Sequence, residues 1–477
     1  MQENTKKLIS YNPSNGEVIW SGWSTSSNDI DICVNRAKSE QKKWKKTPIS
    51  ERQDIIKKFA KLVEKNAVEA ANLISEENGK PLWEAQGEVK SLINKVQVVF
   101  DAYEERAKCK VKELANNRSS VTRFFPHGVM AVLGPFNFPM SMPNSHIMPS
   151  LYAGNTVVFK PSERTIKCAV FYRKLWIDAG LPKDALQIVF GDYEVGEQLV
   201  KHPYIKGVLF IGSRRAGKEI EKNAIENDKL CVLEMGGNSP LVIWDYSDVR
   251  AVINIIIQSA YISAGQRCSA ARRIIINEKI YNELVPCLAR AIDRIKVGDP
   301  FSTENPPFIG PMIDNKAVNN YIEQYRKLVD NGAKIIVASD IIKELGENFV
   351  KPGILDVTEI ADNDEEIFGP LLQVIKAKDI EEAIEISNRT HYGLAAGIVT
   401  EKQEIYDYFL DSIEAGIVNW NQPLTGSTTI APFGGIKGSG NYHPAGYLSV
   451  DYCSYGCASI ESQTSCVPQK LSPGLDF

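Results

Sequence analysis

Cys268 stands in Ser263-Ala-Gly-Gln-Arg-Cys268-Ser-Ala-Ala-Arg-Arg273, between an apolar helical pattern ending near Ala264-Gly265 and a strand pattern starting at Arg272. A thiol on such a loop can face a cleft. Its small neighbours leave room for a substrate, and Arg267 beside it favours the thiolate, the form that acts as nucleophile. The same neighbourhood also suits a buried structural thiol, the commoner use of a free cysteine. Glu234, in Leu233-Glu-Met-Gly-Gly-Asn-Ser-Pro240, follows an apolar strand pattern and precedes two glycines. It reads either as a solvated loop carboxylate or as a general base able to swing toward a covalent intermediate, help that changes rates by roughly 10²–10⁴. Asn137, in Gly134-Pro-Phe-Asn-Phe-Pro139, is stiffened by two prolines. It either caps the following turn or donates its amide to a developing oxyanion, where one donor changes the rate by roughly 10²–10³.

Two further segments suit a nucleotide. Gly212-Ser213-Arg-Arg-Ala-Gly217 follows the apolar run Gly207–Ile211 and opens a helical pattern. Glycine allows close backbone approach, and a helix N-terminus favours phosphate, although the spacing is not the usual GxGxxG. Lys160-Pro-Ser-Glu163 ends another strand pattern, either as a surface ion pair or as a ribose site. A carboxylate there can accept both ribose hydroxyls and repels a 2′-phosphate, which selects NAD over NADP.

The elements that must position these residues follow from periodicity. Ser50-Glu51-Arg52-Gln53 fits a capping box, and Ile55, Ile56, Phe59, Leu62 and Val63 recur at helical spacing until Asn78-Gly79-Lys80-Pro81 stops the pattern. A second helical pattern runs to about Arg106, and short alternating segments fill about 110–125. Strand patterns at 129–133, 156–160, 187–190 and 207–211 then alternate with helical ones at 165–179, 193–201 and 216–227. A second alternating region spans about 237–421, with strands at 272–277, 334–337 and 415–419 and helices at 249–263, 278–294 and 382–389. Repeated strand–helix–strand units imply parallel sheets covered on both faces.

The length, 477 residues, suggests two to four domains at roughly 150 residues each. Hydrophobic residues at 43% and charged residues at 24% describe an ordinary globular chain, and the net charge of −4 offers no broad basic surface for nucleic acid. The N-terminal stretch lacks the apolar core of a secretory signal. The most apolar helical run, 249–264, is interrupted by Asn254 and Gln258 and is too short and polar for a membrane span. A cytoplasmic protein without membrane partners is expected. Nine scattered cysteines without a CxxC pair, and only five histidines, argue against a disulfide framework or a metal cluster.

In this order the motifs resemble the aldehyde dehydrogenase superfamily across nearly the whole chain. The resemblance rests on Pro135–Pro139, Lys160–Glu163, Gly212–Gly217, Leu233–Pro240, Gly265-Gln-Arg-Cys268, Glu366-Ile-Phe-Gly-Pro370 and Phe433-Gly-Gly-Ile-Lys-Gly-Ser-Gly440. Within it, Pro143-Asn-Ser-His146-Ile-Met-Pro149, Gly236-Gly-Asn238, Trp420–Gly426 and the tail Pro473–Phe477 are similar to the N-succinylglutamate 5-semialdehyde dehydrogenases of arginine degradation. His146 and Asn238 depart from the superfamily pattern together with that subgroup. Ile211 replaces a usual threonine, and Asn441-Tyr-His443-Pro444 replaces the subgroup's His-Arg-Pro run.

The resemblance implies an α/β fold with two Rossmann-like domains, one of 1–110 with 131–235 binding NAD and one of 236–440 carrying catalysis. Segments 111–130 and 441–477 would form a small β arm joining a homodimer or dimer of dimers. It implies that Cys268 attacks the aldehyde, that Asn137 and the Cys268 backbone N–H hold the oxyanion, and that Glu234 activates the hydrolytic water. Lys160, Glu163, Gly212, Ser213, Gly217, Glu366 and Phe368 would hold NAD. His146, Arg267, Arg272 and His443 are the candidates for the carboxylates of a small-molecule semialdehyde. Rival expectations are another substrate such as succinate semialdehyde or a betaine-type aldehyde, acyl transfer to coenzyme A, which the presence of Glu234 disfavours, and a non-catalytic protein that keeps the fold.

Overall fold

The chain opens with an antiparallel hairpin, β1 (Lys7–Tyr11) and β2 (Val18–Trp23), and then four helices, α1 (Ser27–Trp44), α2 (Ile49–Lys65), α3 (Ala67–Asn78) and α4 (Leu82–Arg106). The computed structural model describes residues 5–360, 364–426, 428–465, 467 and 471–476; Phe477 of the tail motif lies outside them. The capping box expected at Ser50 does not form. Pro48 is the N-cap, at φ −53° and ψ 143°, and makes no side-chain cap hydrogen bond, so the helix starts at Ile49. The single long pattern is in fact two helices, broken at Asn66 with φ −106° and ψ 22°. Its end is as expected: Gly79 caps α3 in the left-handed conformation at φ 82°.

After β3 (Lys110–Leu114) and β4 (Arg118–Pro126) comes the first parallel sheet. It contains β5 (Val129–Leu133), β6 (Thr156–Lys160), β7 (Leu186–Ile188), β8 (Ile205–Gly212) and β9 (Leu230–Met235), in spatial order β7-β6-β5-β8-β9. Helices α5 (Ser141–Ala153), α6 (Ile166–Asp178), α7 (Tyr193–Lys201) and α8 (Arg214–Glu226) cross between its strands. Every residue of β5 and β6 is buried, as expected for strands covered on both faces. Strand order reverses between β5 and β8, and ligands of open α/β sheets bind at the carboxyl ends of strands at such a switch.

The second sheet has seven strands in order β12-β13-β14-β11-β10-β15-β16. They are β10 (Ser239–Ile243), β11 (Ala271–Asn277), β12 (Lys334–Val337), β13 (Gly353–Asp356), β14 (Leu371–Ala377), β15 (Ala395–Val399) and β16 (Ile417–Trp420). All are parallel except the edge strand β12. Helices α9 (Val249–Ala260), α10 (Glu278–Asp293), α11 (Asn315–Asp330), α12 (Ile380–Asn388) and α13 (Gln403–Ser412) accompany it. The short pair β17 (Pro432–Phe433) and β18 (Ala445–Gly446) follows.

The last strand, β19 (Ser454–Glu461), pairs with β4 in a three-stranded antiparallel sheet ordered β19-β4-β3. Among the described residues of 441–477, this is the part that joins that sheet. The 3-10 turn Tyr447–Cys453 instead packs on α4 and α5, and Tyr452 and Cys453 belong to the core there. No helix among the described residues is long and apolar enough to cross a membrane.

Candidate active site

Cys268 lies between α9 and β11, behind a turn of unusual backbone. Ser263 (φ 58°), Ala264 (φ 53°) and Gly265 (φ 69°) are successive left-handed residues. Each non-glycine one costs roughly 1–3 kcal/mol and persists only where its surroundings over-determine it. At Gly265 a Cβ would meet the Gly369 carbonyl oxygen at 2.2 Å. The buried Glu84 carboxylate accepts the Ser263 N–H at 3.2 Å and the Ser263 hydroxyl. From the other side Arg272 donates to the Gly265 carbonyl at 2.5 Å and to the Arg267 carbonyl at 2.8 Å.

Cys268 is half-buried as a residue, with its thiol turned inward. Burial, with the charges of Glu234 and Glu366 added, pushes it up to about 12; the Ser269 N–H and Arg272 oppose this weakly. Arg267, expected to favour the thiolate, instead pairs with Glu84 at 2.9 Å and donates to the Ser263 hydroxyl at 2.9 Å. The thiol therefore rests protonated and needs a base, or a cation brought by a ligand, in order to react.

Asn137 is in the loop after β5. Its side-chain amide donates to the Gln266 carbonyl at 2.9 Å, two residues before Cys268, and does not cap the next turn. The loop is tied down by buried groups. Asn78 donates to the Phe136 carbonyl at 2.7 Å, and Lys80 donates to the Asn137 carbonyl at 2.7 Å while pairing with Glu88 at 2.8 Å. Glu88 also accepts the Met140 and Ser141 N–H groups, each at 3.1 Å. These satisfied partners fix the position of the Asn137 loop and its amide.

Glu234 is inside β9, not on a loop, and is 3% exposed. Asn441 clamps this strand, accepting the Leu233 N–H at 3.0 Å and donating to the Cys231 carbonyl at 2.9 Å. Neither Glu234 carboxyl oxygen has a hydrogen bond, so the side chain is held by packing alone. Burial pushes its carboxyl up to about 8, against the opposing charge of Lys95. His146 lies behind it, fully buried, with Nε2 3.4 Å from Glu234 and Nδ1 2.8 Å from the Tyr452 hydroxyl. Burial and Lys95 push His146 down to about 3. Burial likewise lowers Lys95 to about 8, and its ammonium donates to the Gly446 carbonyl at 2.9 Å.

The four substrate-side candidates are therefore dispersed. His146 backs Glu234, Arg267 serves Glu84, Arg272 is buried among carbonyls, and His443 is exposed on the loop after Asn441. On the nucleotide side, Ser213 N-caps α8, its hydroxyl accepting the Ala216 N–H at 3.4 Å, and Gly212 ends β8. Gly217 serves packing: a Cβ there would meet Met235 Sδ at 2.3 Å. The Lys160 ammonium donates to the Gly191 and Pro161 carbonyls at 2.7 and 3.1 Å, with half-buried Glu163 three residues on. Glu366 accepts the Gly237 N–H at 3.2 Å and lies 3.8 Å from Arg272, filling the space a Cβ on Gly236 would need. Phe368 sets its ring edge-on to Phe136 at 5.9 Å.

Glu84, Glu88, Lys80, Lys95 and Tyr452 were not singled out from the sequence. One signal was present: Glu84, Glu88 and Lys95 interleave with the apolar positions Ala85, Val89, Leu92 and Val96 of α4, where a solvated charge would not fall.

The family model described as "Aldehyde dehydrogenase family" matches residues 1–455. The N-succinylglutamate 5-semialdehyde dehydrogenase of Novosphingobium aromaticivorans is 42% identical over 457 residues, covering 95% of this chain and 96% of that protein. N-succinylglutamate 5-semialdehyde dehydrogenase 1 of Caulobacter vibrioides is 42% identical over 462 residues, covering 96% and 97%. Among solved structures, a putative methylmalonate-semialdehyde dehydrogenase from Sinorhizobium meliloti, complexed with NAD, superposes with a TM-score of 0.92 at 26% identity, covering 97% of this chain and 95% of that one. A thiol, an anchored amide and a buried carboxyl without hydrogen bonds, set where two α/β sheets meet and matched along almost the whole chain, make this protein a member of the aldehyde dehydrogenase family.

Proposed function

We propose that the enzyme oxidises N-succinyl-L-glutamate 5-semialdehyde to N-succinyl-L-glutamate with NAD⁺, in arginine degradation by the succinyltransferase route. The observation that carries the chemistry is the Asn137 amide bound to the loop of Cys268, with Glu234 near enough to raise the thiol. The substrate is proposed from the two relatives that bear that name.

In this reading Cys268 Sγ attacks the aldehyde carbon, and the thiol proton is released to water. The Asn137 amide and the Cys268 backbone N–H hold the resulting oxyanion. NAD⁺, when bound, would supply the hydride acceptor for this oxidation, and Cys268 would then carry the acyl group as a thioester. Glu234 then takes a proton from water, which attacks the thioester; the acid departs and the thiol is restored. The chain's own groups fit a dinucleotide: α8 offers backbone N–H groups at its N-terminus, and Glu366 is a carboxylate already oriented by Gly237 N–H. Lys160 and Glu163 stand at the carboxyl end of β6 for a ribose, and Phe368 would wall the nicotinamide.

We further propose that 1–110 with 131–235 is the NAD-binding unit and 236–440 the catalytic one. Sheet β19-β4-β3 would join subunits into a homodimer or a dimer of dimers, by pairing of exposed strands. Eight free thiols among the described residues suit the reducing cytoplasm. NADH formation across a panel of semialdehydes tests the substrate: the N-succinylated substrate should give the highest kcat/KM. Equal or better turnover of succinate or methylmalonate semialdehyde would overturn the assignment.

A further inference from the structure

Glu84 and Glu88 are one turn apart in the first two turns of α4, both buried, on one face of the helix. Their partners belong to different loops. Glu84 holds the left-handed turn before Cys268 through the Ser263 N–H and hydroxyl, and pairs with Arg267 next to the nucleophile. Glu88 holds the Asn137 loop through the Met140 and Ser141 N–H groups, and through Lys80, which donates to the Asn137 carbonyl. The two halves touch again at Phe138, whose ring has Lys80 at 3.9 Å and Arg267 at 5.0 Å. The loops meet a third time where the Asn137 amide donates to the Gln266 carbonyl.

We propose that Glu84 and Glu88 act as a two-point ruler, setting the separation of the nucleophile from the oxyanion donor by anchoring each one's loop to the same rigid helix. Neither carboxylate touches the reacting atoms, so both are positioning residues. The proposal rests on the roles given above to Cys268 and Asn137. It accounts for the left-handed turn: two non-glycine residues hold a costly conformation because Glu84 on one side and Arg272 on the other leave the turn no alternative. It also accounts for two buried carboxylates that are fully partnered, in contrast to Glu234, whose carboxyl oxygens have no hydrogen bond.

The test shortens each arm by one methylene while keeping its charge. In the full-length enzyme, Glu84→Asp and Glu88→Asp should each lower the NADH burst rate per titrated active site by about 10²-fold, the scale of a 1 Å misplacement. NAD affinity and aldehyde KM should stay within about twofold. Glu84→Asp/Glu88→Asp, drawing both loops toward α4 together, should lose less than the product of the single losses. Unchanged burst rates per site in the single variants would overturn the ruler. So would losses explained entirely by fewer folded molecules in thermal unfolding, or a double variant whose losses simply multiply. Should the wild type give no burst with any aldehyde, the functional reading fails. The ruler is then judged by iodoacetamide labelling of Cys268, whose rate Glu84→Asp changes if the turn has moved and leaves alone if it has not.

Discussion

His146 Nε2 stands 3.4 Å from Glu234 Oε1, and both side chains are sealed from solvent. Burial drives the two in opposite senses, the imidazole down to about 3 and the carboxyl up to about 8. At neutral pH the pair is a neutral imidazole against a largely protonated carboxyl, with the Lys95 charge nearby.

The first consequence is kinetic. A base must be ionised, so the hydrolytic step should speed up as pH rises through about 8. Lys95 lowers the Glu234 value; its removal in Lys95→Met should move the rising limb of kcat to higher pH. A pH–rate profile of the two enzymes checks this, provided hydrolysis limits turnover.

The second consequence concerns stability. His146 has a lowered folded value, so its contribution is present above the ordinary 6.5 and is lost as pH falls toward about 3. Glu234 has a raised one, so its contribution is present below the ordinary 4.5 and is lost as pH rises through about 8. Between 4.5 and 6.5 the two slopes oppose each other. His146→Gln should flatten the acid limb of thermal stability against pH, and Glu234→Gln the alkaline limb.

Asn137→Ala should cut kcat by roughly 10²–10³ while Cys268 stays reactive toward iodoacetamide. A loss of thiol labelling equal to the loss of turnover would instead make Asn137 a structural support of the Gln266 carbonyl.

Glu163→Gln should weaken discrimination against NADP⁺ by about tenfold, the effect of roughly 1.4 kcal/mol of relieved repulsion. Parallel kcat/KM values for the two cofactors give the ratio.

The parts of the site that were legible in the sequence are those whose chemistry lies in short contiguous motifs. Asn137 between prolines, Glu234 before paired glycines and Cys268 before a strand announce themselves, and the alternating patterns gave the parallel sheets. What stayed hidden depends on distant partners. Arg267 looks like an activator of its neighbour until Glu84, 183 residues away in sequence, claims it. Glu84 and Glu88 fall on the apolar stripe of α4, which marks them as buried, but the sequence does not show the loops they hold. Ser50 satisfied a capping pattern, yet Pro48 had already fixed the entry to the helix. The helix α1 went unread because its apolar stripe is thin, with Ile30, Val34, Ala37 and Trp44 as its buried residues.

The central claim is that Cys268 carries an acyl group that Glu234 releases. Glu234→Gln mixed with NAD⁺ and N-succinylglutamate semialdehyde, followed by intact and peptide mass spectrometry, tests it most directly. The account predicts a single burst of NADH, no sustained turnover, and an N-succinylglutamyl adduct on the Cys268 peptide. Steady turnover in that variant, or an adduct on any other cysteine, would contradict it.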